Sequence, residues 1–191
     1  MSTDVQRSLG RQTRRALVGL LLFLNGAFAA TAPVPGEYQV KAVFLFNFTH
    51  FVEWPADTFA DPQAPFVIGV LGQDPFGSAL DEAVRGESVN GRPLVVQRYS
   101  GVADLKPCQI LFIDRSVDGA MEKALAALAH QRTLTVSDLD TATPRAVIIR
   151  FLNENQKIRL QINVDSARSA GLTISSKLLR PAQVIGTAGA G

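Results

Sequence analysis

Short apolar runs without polar side chains do most to limit what this chain can fold into. Phe66–Leu71 (FVIGVL) and Ile110–Ile113 (ILFI) contain apolar residues and one glycine only, which is typical of strands buried on both faces of a parallel sheet. Helical patterns over residues 75–85 and 117–130 alternate with these runs and with strand patterns over 94–99 and 134–136. This order predicts a single α/β domain with a mixed, mostly parallel, Rossmann-like sheet and flanking helices.

The two ends of the domain are expected to differ from this alternation. Residues 147–152 and Lys157–Asn163 predict a C-terminal β-hairpin around the polar turn 153–156, and short helices are expected after Asp165 and over 174–179. Before the sheet, residues 37–53 predict a helix that Trp54-Pro55 ends, because proline disfavours a helical residue before it. The spacing of its apolar residues predicts a core-facing side made of Val40, Val43, Phe44, Phe48, Phe51 and Val52.

The first 29 residues have the pattern of a secretory signal peptide. Four arginines precede an apolar stretch over 16–24, and Ala27-Phe28-Ala29 follows as a small-residue cleavage site. We therefore expect export to the periplasm with cleavage after Ala29, a flexible leader over 30–36, the folded domain over 37–182 and a flexible tail over 183–191. The chain beyond residue 29 carries 15 basic and 16 acidic residues, so nucleic acid is not an expected partner.

The sequence has few of the side chains that commonly catalyse reactions or bind metals, which argues against an enzyme. The sequence has two histidines, His50 and His130, and a single cysteine, Cys108, without zinc-ligand spacing or a hydrolase motif. We therefore expect no catalytic residue, no cofactor and no metal. Cys108 precedes an apolar strand and is expected to be buried, with an intermolecular disulfide as the alternative.

Several polar residues follow predicted strands and leave a ligand site open as an alternative. Asp74, Asp114 and Asp138, with Gly72, would meet at one sheet edge and could bind a cation or small ligand there. Helix capping and turn formation explain the same residues without a ligand, with Asp74 as the N-cap of the helix over 75–85. Trp54 and Phe59 flank a loop and are candidate partner anchors, with packing in the core as the favoured alternative for Trp54. Lys41 lies within an apolar helix, where it would pair with a carboxylate or reach water.

The chain resembles the YfiR-like family of exported bacterial proteins over residues 37–182. The resemblance rests on EYQVKAVFLFNF from position 37, FVEWP from 51, VIGVLG from 67, DPFG from 74, VNGRPL from 89, CQILFI from 108, LTVSD from 134 and GLTISSKLL from 171. It differs from the family in the stretch over 139–145, where a glycine pair is usual and none is present, and in having no second cysteine for an internal disulfide.

The resemblance implies a periplasmic, non-enzymatic regulator. Such a protein would bind the periplasmic domain of an inner-membrane diguanylate cyclase, or of a sensor kinase, and repress it until an outer-membrane lipoprotein or envelope stress causes release. A homodimer is compatible with this function, and a periplasmic small-ligand sensor or carrier is the alternative. The expected partner-binding residues are Lys41, Trp54, Phe59, Asp138, Leu139 and Arg145.

Overall fold

Helices and strands alternate along the chain as the apolar runs predict. The computed structural model describes residues 36–59, 61–117, 119–129, 131–139 and 147–186; the predicted signal peptide, residues 30–35 of the leader, His130 and Arg145 lie outside them. The helices are α1 (Glu37–Phe51), α2 (Ser78–Val84), α3 (Met121–Ala127), α4 (Val164–Ser169) and α5 (Ser176–Leu179). The strands are β1 (Val52–Glu53), β2 (Phe66–Leu71), β3 (Ser88–Val89), β4 (Arg92–Tyr99), β5 (Ile110–Ile113), β6 (Leu134–Ser137), β7 (Ile149–Glu154), β8 (Lys157–Asn163), β9 (Thr173–Ile174) and β10 (Gln183–Ile185).

The main sheet is mixed and mostly parallel, which confirms the predicted fold class. Within the described residues it has eight strands in the order β10-β8-β7-β6-β5-β2-β4-β3. The pairs β2–β4, β2–β5, β5–β6, β6–β7 and β8–β10 are parallel, whereas β7–β8 and β3–β4 are antiparallel. The pair β1–β9 forms a separate antiparallel ladder.

Apolar layers cover both faces of the sheet. Every residue of β2 and β5 is buried, and alternate residues of β2 enter different cores. Ile68 and Val70 face the core that contains α1, α2, α4 and α5 side chains, while Val67 and Leu71 face the core that contains α3. Burial on both faces explains why these strands read as continuous apolar runs.

The C-terminal hairpin is present with β8 at its predicted bounds. Its other strand, β7, begins at Ile149 and runs to Glu154, so it is shifted from the predicted 147–152. The turn residues Asn155 and Gln156 both have positive φ, 51° and 62°, which is the conformation that a two-residue hairpin turn requires.

Two helix starts differ from the prediction. Asp74 is not the N-cap of α2, because Gly77 has a non-helical conformation (φ 55°, ψ −128°) and α2 begins only at Ser78. The Asp74 side chain instead accepts a hydrogen bond from the Phe76 N–H at 2.8 Å and closes a turn. The predicted helix over 117–130 is replaced by a short 3-10 turn (Arg115–Val117) and the shorter α3.

Two more elements differ near the termini. Helix α1 stops at Phe51 because Val52 and Glu53 pair with β9. The flexible tail predicted from residue 183 is wrong for Gln183–Ile185, which form β10 and pair in parallel with β8, with Val184 opposite Ile162. Residues 187–191 lie outside the described part.

Candidate interaction site

Helix α1 adjoins four of the predicted partner-binding residues: it carries Lys41, contacts Asp138, and shares a pocket with Trp54 and Phe59. Apolar side chains surround the whole helix, so spacing alone does not fix which side faces the core. The buried side consists of Lys41, Ala42, Leu45, Phe48 and Thr49. Phe48 stacks on Phe151 of β7 with ring centroids 6.1 Å apart, and this contact holds the helix against the sheet.

The predicted core-facing side of α1 is wrong in part. Val40 and Val43 are 47% and 51% exposed, whereas Ala42, Leu45 and Phe48 occupy the core. Asn47 is half-buried and His50 is exposed next to them on the helix. We refer to Val40, Val43, Asn47 and His50 as the outer face of α1.

A buried ion cluster fixes the N-terminal end of α1 to the sheet. Lys41 is 2% exposed, and its Nζ lies 2.7 Å from Asp138 Oδ2 and 2.6 Å from Glu37 Oε1. The Tyr38 hydroxyl donates to the same Asp138 oxygen at 2.9 Å, and Arg115 Nη2 lies 3.5 Å from it. The ion cluster therefore comprises Glu37, Tyr38, Lys41, Arg115 and Asp138, and it joins α1 to the end of β6.

The donors of the ion cluster surround one oxygen of Asp138, Oδ2. Burial, followed by the Asp138 charge, raises the pKa of the Tyr38 hydroxyl well above its usual range, so this hydroxyl stays a donor to the carboxylate. Burial works against the charge of Arg115, yet the nearby Asp138 leaves the pKa of this guanidinium raised. Asp138 Oδ1 is buried and has no hydrogen-bond partner among the described residues.

The burial of Lys41 and Asp138 changes how they would serve partner binding. Both side chains are 2% exposed, so a partner in contact with the surface does not touch them. Their part in binding stays a prediction. Buried side chains of this kind would act on binding indirectly, because the ion cluster sets the position of α1. The sequence offered one sign of the cluster, because Glu37 and Lys41 are four residues apart on a helix; nothing local indicates Tyr38 or Arg115.

A pocket lies at the C-terminal end of α1, beside Trp54 and Phe59. It measures about 530 Å³ and includes His50 and Arg92 in its lining. The Trp54 ring meets Phe66 edge-to-face at 4.9 Å between centroids. The Arg92 guanidinium lies 3.9 Å from the Phe59 ring centroid and donates to the carbonyl oxygens of Asp61 and Ala64, both at 2.8 Å. Trp54 and Phe59 therefore pack partly on the core and partly line this pocket.

The acidic residues at the sheet edge are each bound by different donors. Asp74 Oδ2 accepts from Arg98 Nε at 2.6 Å, and Asp114 Oδ2 accepts from the Ser116 N–H at 2.8 Å. Asp114 and Asp138 follow neighbouring paired strands, but Asp138 is committed to the ion cluster. Among the described residues, no group of three or more histidine, cysteine, aspartate or glutamate side chains is placed to hold a metal ion. The hydrogen bonds of Asp74 and Asp114 agree with the turn-forming interpretation, whereas Asp138 belongs to the ion cluster.

The remaining predicted residues are placed as follows. Leu139 is half-buried and packs against the core that contains α3, and Arg145 lies outside the described residues. Cys108 is 3% exposed, and burial raises the pKa of its thiol to about 12. A buried thiol with so little thiolate is unreactive, which argues against the intermolecular disulfide.

Comparison with known proteins identifies one family. Residues 38–183 match the family model described as YfiR/HmsC-like, and this match confirms the resemblance drawn from the sequence motifs. It runs from the first turn of α1 to the first residue of β10. A search of curated proteins finds no match.

Proposed function

Because the chain belongs to the YfiR/HmsC-like family, we propose that it is a periplasmic repressor of an inner-membrane diguanylate cyclase. The family is known for periplasmic regulation of diguanylate cyclases and is regulatory rather than catalytic. The match over residues 38–183 is the observation that carries the proposal, since it covers nearly all of the described domain, from the first turn of α1 to the first residue of β10. In this function the protein binds the periplasmic sensor domain of the cyclase, holds the enzyme inactive and so lowers cyclic di-GMP and biofilm formation.

The way in which the described domain uses its charged groups supports a binding function. Asp74 and Asp138 are held by Arg98 and by the ion cluster. These carboxylates position backbone and helices, which suits a protein that presents a surface to a partner. An outer-membrane lipoprotein that competes for the same surface would release the cyclase.

The proposed location follows from the family and from the first residues. Members of the family are periplasmic, and residues 1–29 act in our proposal as the export signal with cleavage after Ala29. Within the described residues, no helix is long and apolar enough to cross a bilayer.

Deletion of the gene in its native host tests the proposal. We expect cyclic di-GMP and biofilm mass to rise, and a plasmid copy of the full chain to restore both. The matched control is a plasmid copy without residues 2–29, which would keep the protein in the cytoplasm and away from the sensor domain. Unchanged cyclic di-GMP after deletion, or equal restoration by the control, would contradict the proposal.

The physical interaction needs its own measurement. The purified protein should bind the purified periplasmic domain of a cyclase from the same host, measured by isothermal titration calorimetry. If deletion changes cyclic di-GMP and none of the host's cyclase domains binds the protein, then the regulation does not act by direct contact with the cyclase. A sensor kinase domain would be the next partner to test.

A further inference from the structure

Arg92 lines the pocket at the C-terminal end of α1, and it forms no ion pair with any of the described residues. Its Nη1 donates to the carbonyl oxygens of Asp61 and Ala64, both at 2.8 Å, and its guanidinium lies 3.9 Å from the Phe59 ring centroid. Asp61 Oδ1 accepts from the Gln63 N–H at 2.7 Å instead of pairing with Arg92. Neutral groups therefore fix the guanidinium, and no carboxylate among the described residues compensates its charge.

This arrangement of Arg92 departs from that of other arginines in the described part of the chain. Carboxylates hold several of them, in the pairs Arg98 with Asp74 and Asp81, Arg115 with Asp138, Arg132 with Asp57, and Arg168 with Asp165. A guanidinium that is stacked on an aromatic ring and held rigid is prepared to bind an anion with little loss of side-chain freedom. The Arg92 side chain therefore has the form of an anion-binding group.

The unused edge of the Arg92 guanidinium indicates the shape of this anion. The two carbonyl oxygens use both hydrogens of Nη1. The Nε–H and Nη2–H have no partner among the described residues, and these two donors point in parallel from one edge of the group. Such an edge matches the two oxygens of a single carboxylate, whereas a lone hydroxyl or carbonyl oxygen would satisfy one donor only.

The rest of the lining indicates what the carboxylate is attached to. Apolar and aromatic side chains contribute to the pocket, namely Val52, Trp54, Phe59, Phe66 and Val89. Glu53 also belongs to the lining, and its negative charge disfavours a ligand that carries two negative charges. The pocket volume of about 530 Å³ falls within the range of about 300–1,000 Å³ that is usual for small-molecule sites.

We propose that this pocket binds a small monocarboxylate with an apolar or aromatic body. The carboxylate accepts from the free edge of Arg92, and the apolar body lies against Trp54 and Phe59. His50 on the outer face of α1 and Asn90 in the turn between β3 and β4 line the same pocket, so the ligand would join the end of α1 to this turn. The proposal does not depend on the proposed repression.

Fluorescence titration tests the proposal, because Trp54, the chain's single tryptophan, lines the pocket. The probe is 3-phenylpropionate, which joins one carboxylate to one ring, and we expect a saturable change in the emission of Trp54. The neutral 3-phenylpropionamide should bind at least about tenfold more weakly, since it loses hydrogen bonds to a charged group. The dianionic 2-phenylethyl phosphate should also bind more weakly. Absence of saturation by 3-phenylpropionate up to about 10 mM, or equal or tighter binding of the amide or the phosphate, would overturn the proposal.

Two substitutions test whether the binding depends on the free edge of Arg92. Arg92→Lys keeps the charge but loses the parallel donors, so it should weaken the binding of 3-phenylpropionate at least about tenfold. Arg132→Met is the matched control, since Arg132 pairs with Asp57 and does not line this pocket, and it should leave the affinity unchanged. Unchanged affinity in a folded Arg92→Lys, or equal weakening by the two substitutions, would refute the proposal.

A third substitution keeps the test valid if Arg92→Lys does not fold, because Arg92 also holds the segment 61–64. Ser88 is exposed and lines the pocket, so Ser88→Phe would place a ring in the space of the ligand and leave the Arg92 contacts intact. It should weaken the binding of 3-phenylpropionate, and far-UV circular dichroism of each variant verifies folding. Binding by Ser88→Phe with the wild-type affinity would place the ligand elsewhere and overturn the proposal.

Discussion

Replacement of Lys41 by methionine should destabilise the domain far more than loss of an exposed ion pair. The ammonium lies within 2.7 Å of two carboxylates and is 2% exposed. Removing one partner of a buried pair typically costs about 3–5 kcal/mol, because the other charge stays buried without compensation. Asp138 would retain the Tyr38 hydroxyl at 2.9 Å and Arg115 at 3.5 Å, and Glu37, at 12% exposure, has access to water. We therefore expect a cost near the lower limit, about 3 kcal/mol.

A double-mutant cycle separates the pair from the packing around it. Lys41→Met and Asp138→Leu should each cost about 3 kcal/mol, whereas the double variant should cost at least about 2 kcal/mol less than their sum, because both fully buried charges are then removed together. Glu37 and Arg115 lose a partner in the double variant, but their side chains are 12% and 56% exposed and keep contact with water. Urea unfolding followed by the fluorescence of Trp54, the only tryptophan of the chain, measures each free energy of unfolding. With a slope of about 2 kcal/mol per molar urea, each single variant should move the midpoint by about 1.5 M.

The control for this cycle is an exposed pair of similar length. Arg132 Nη2 lies 2.6 Å from Asp57 Oδ2, with side chains 38% and 68% exposed, and such pairs contribute less than about 1 kcal/mol. Arg132→Met should therefore leave the midpoint almost unchanged. The reasoning would be refuted if Lys41→Met cost no more than Arg132→Met, or if the costs of Lys41→Met and Asp138→Leu were additive.

Two further predictions concern the turn after β2 and the alkaline limit of stability. At Gly72 (φ 98°) an added Cβ would lie 2.5 Å from Ser116 Oγ, so Gly72→Ala should lower the melting temperature clearly more than Gly86→Ala, where φ is 76° and nothing lies within 4 Å; equal losses would contradict the steric argument. Burial raises the pKa of Tyr99 to about 12 and that of Cys108 to about 12. As the pH rises, the unfolded chain therefore loses these protons before the folded protein does. The free energy of unfolding should be constant below about pH 8.5 and fall above it, by about 1.4 kcal/mol per pH unit for each proton. The fall should be shallower in Cys108→Ala, and urea midpoints that stay constant from pH 8 to 11 would contradict it.

The sequence predicts the sheet better than the surfaces that cover it. The buried strands Phe66–Leu71 and Ile110–Ile113 are found at their predicted bounds, because burial on both faces leaves only apolar side chains. By contrast, α1 is apolar all round, and its periodicity placed Val40 and Val43 in the core although both are exposed. A helix with one polar face would not have allowed this error.

The candidate site depends on contacts that no local pattern contains. Lys41 and Asp138 are 97 positions apart, so the sequence shows a lysine that needs a carboxylate but not which carboxylate it finds. Asp74 precedes a proline, as a helix cap would, yet the positive φ of Gly77 breaks the helical conformation there, and the helix starts at Ser78. The strand β10 was missed because its three residues are stabilised by pairing with β8, which only the assembled sheet provides.

The small ladder between β1 and β9 sets an order of events for a newly made chain. Val52 lies opposite Ile174, and the Ser175 N–H donates to the Phe51 carbonyl oxygen at 2.8 Å. A chain that emerges from the ribosome, or from a membrane pore, N-terminus first cannot form these bonds until residue 175 is out. The end of α1, the first helix of the described residues, therefore lacks this partner until almost the whole chain has emerged. Folding of the domain finishes in a late step, and until then an apolar helix remains accessible to chaperones.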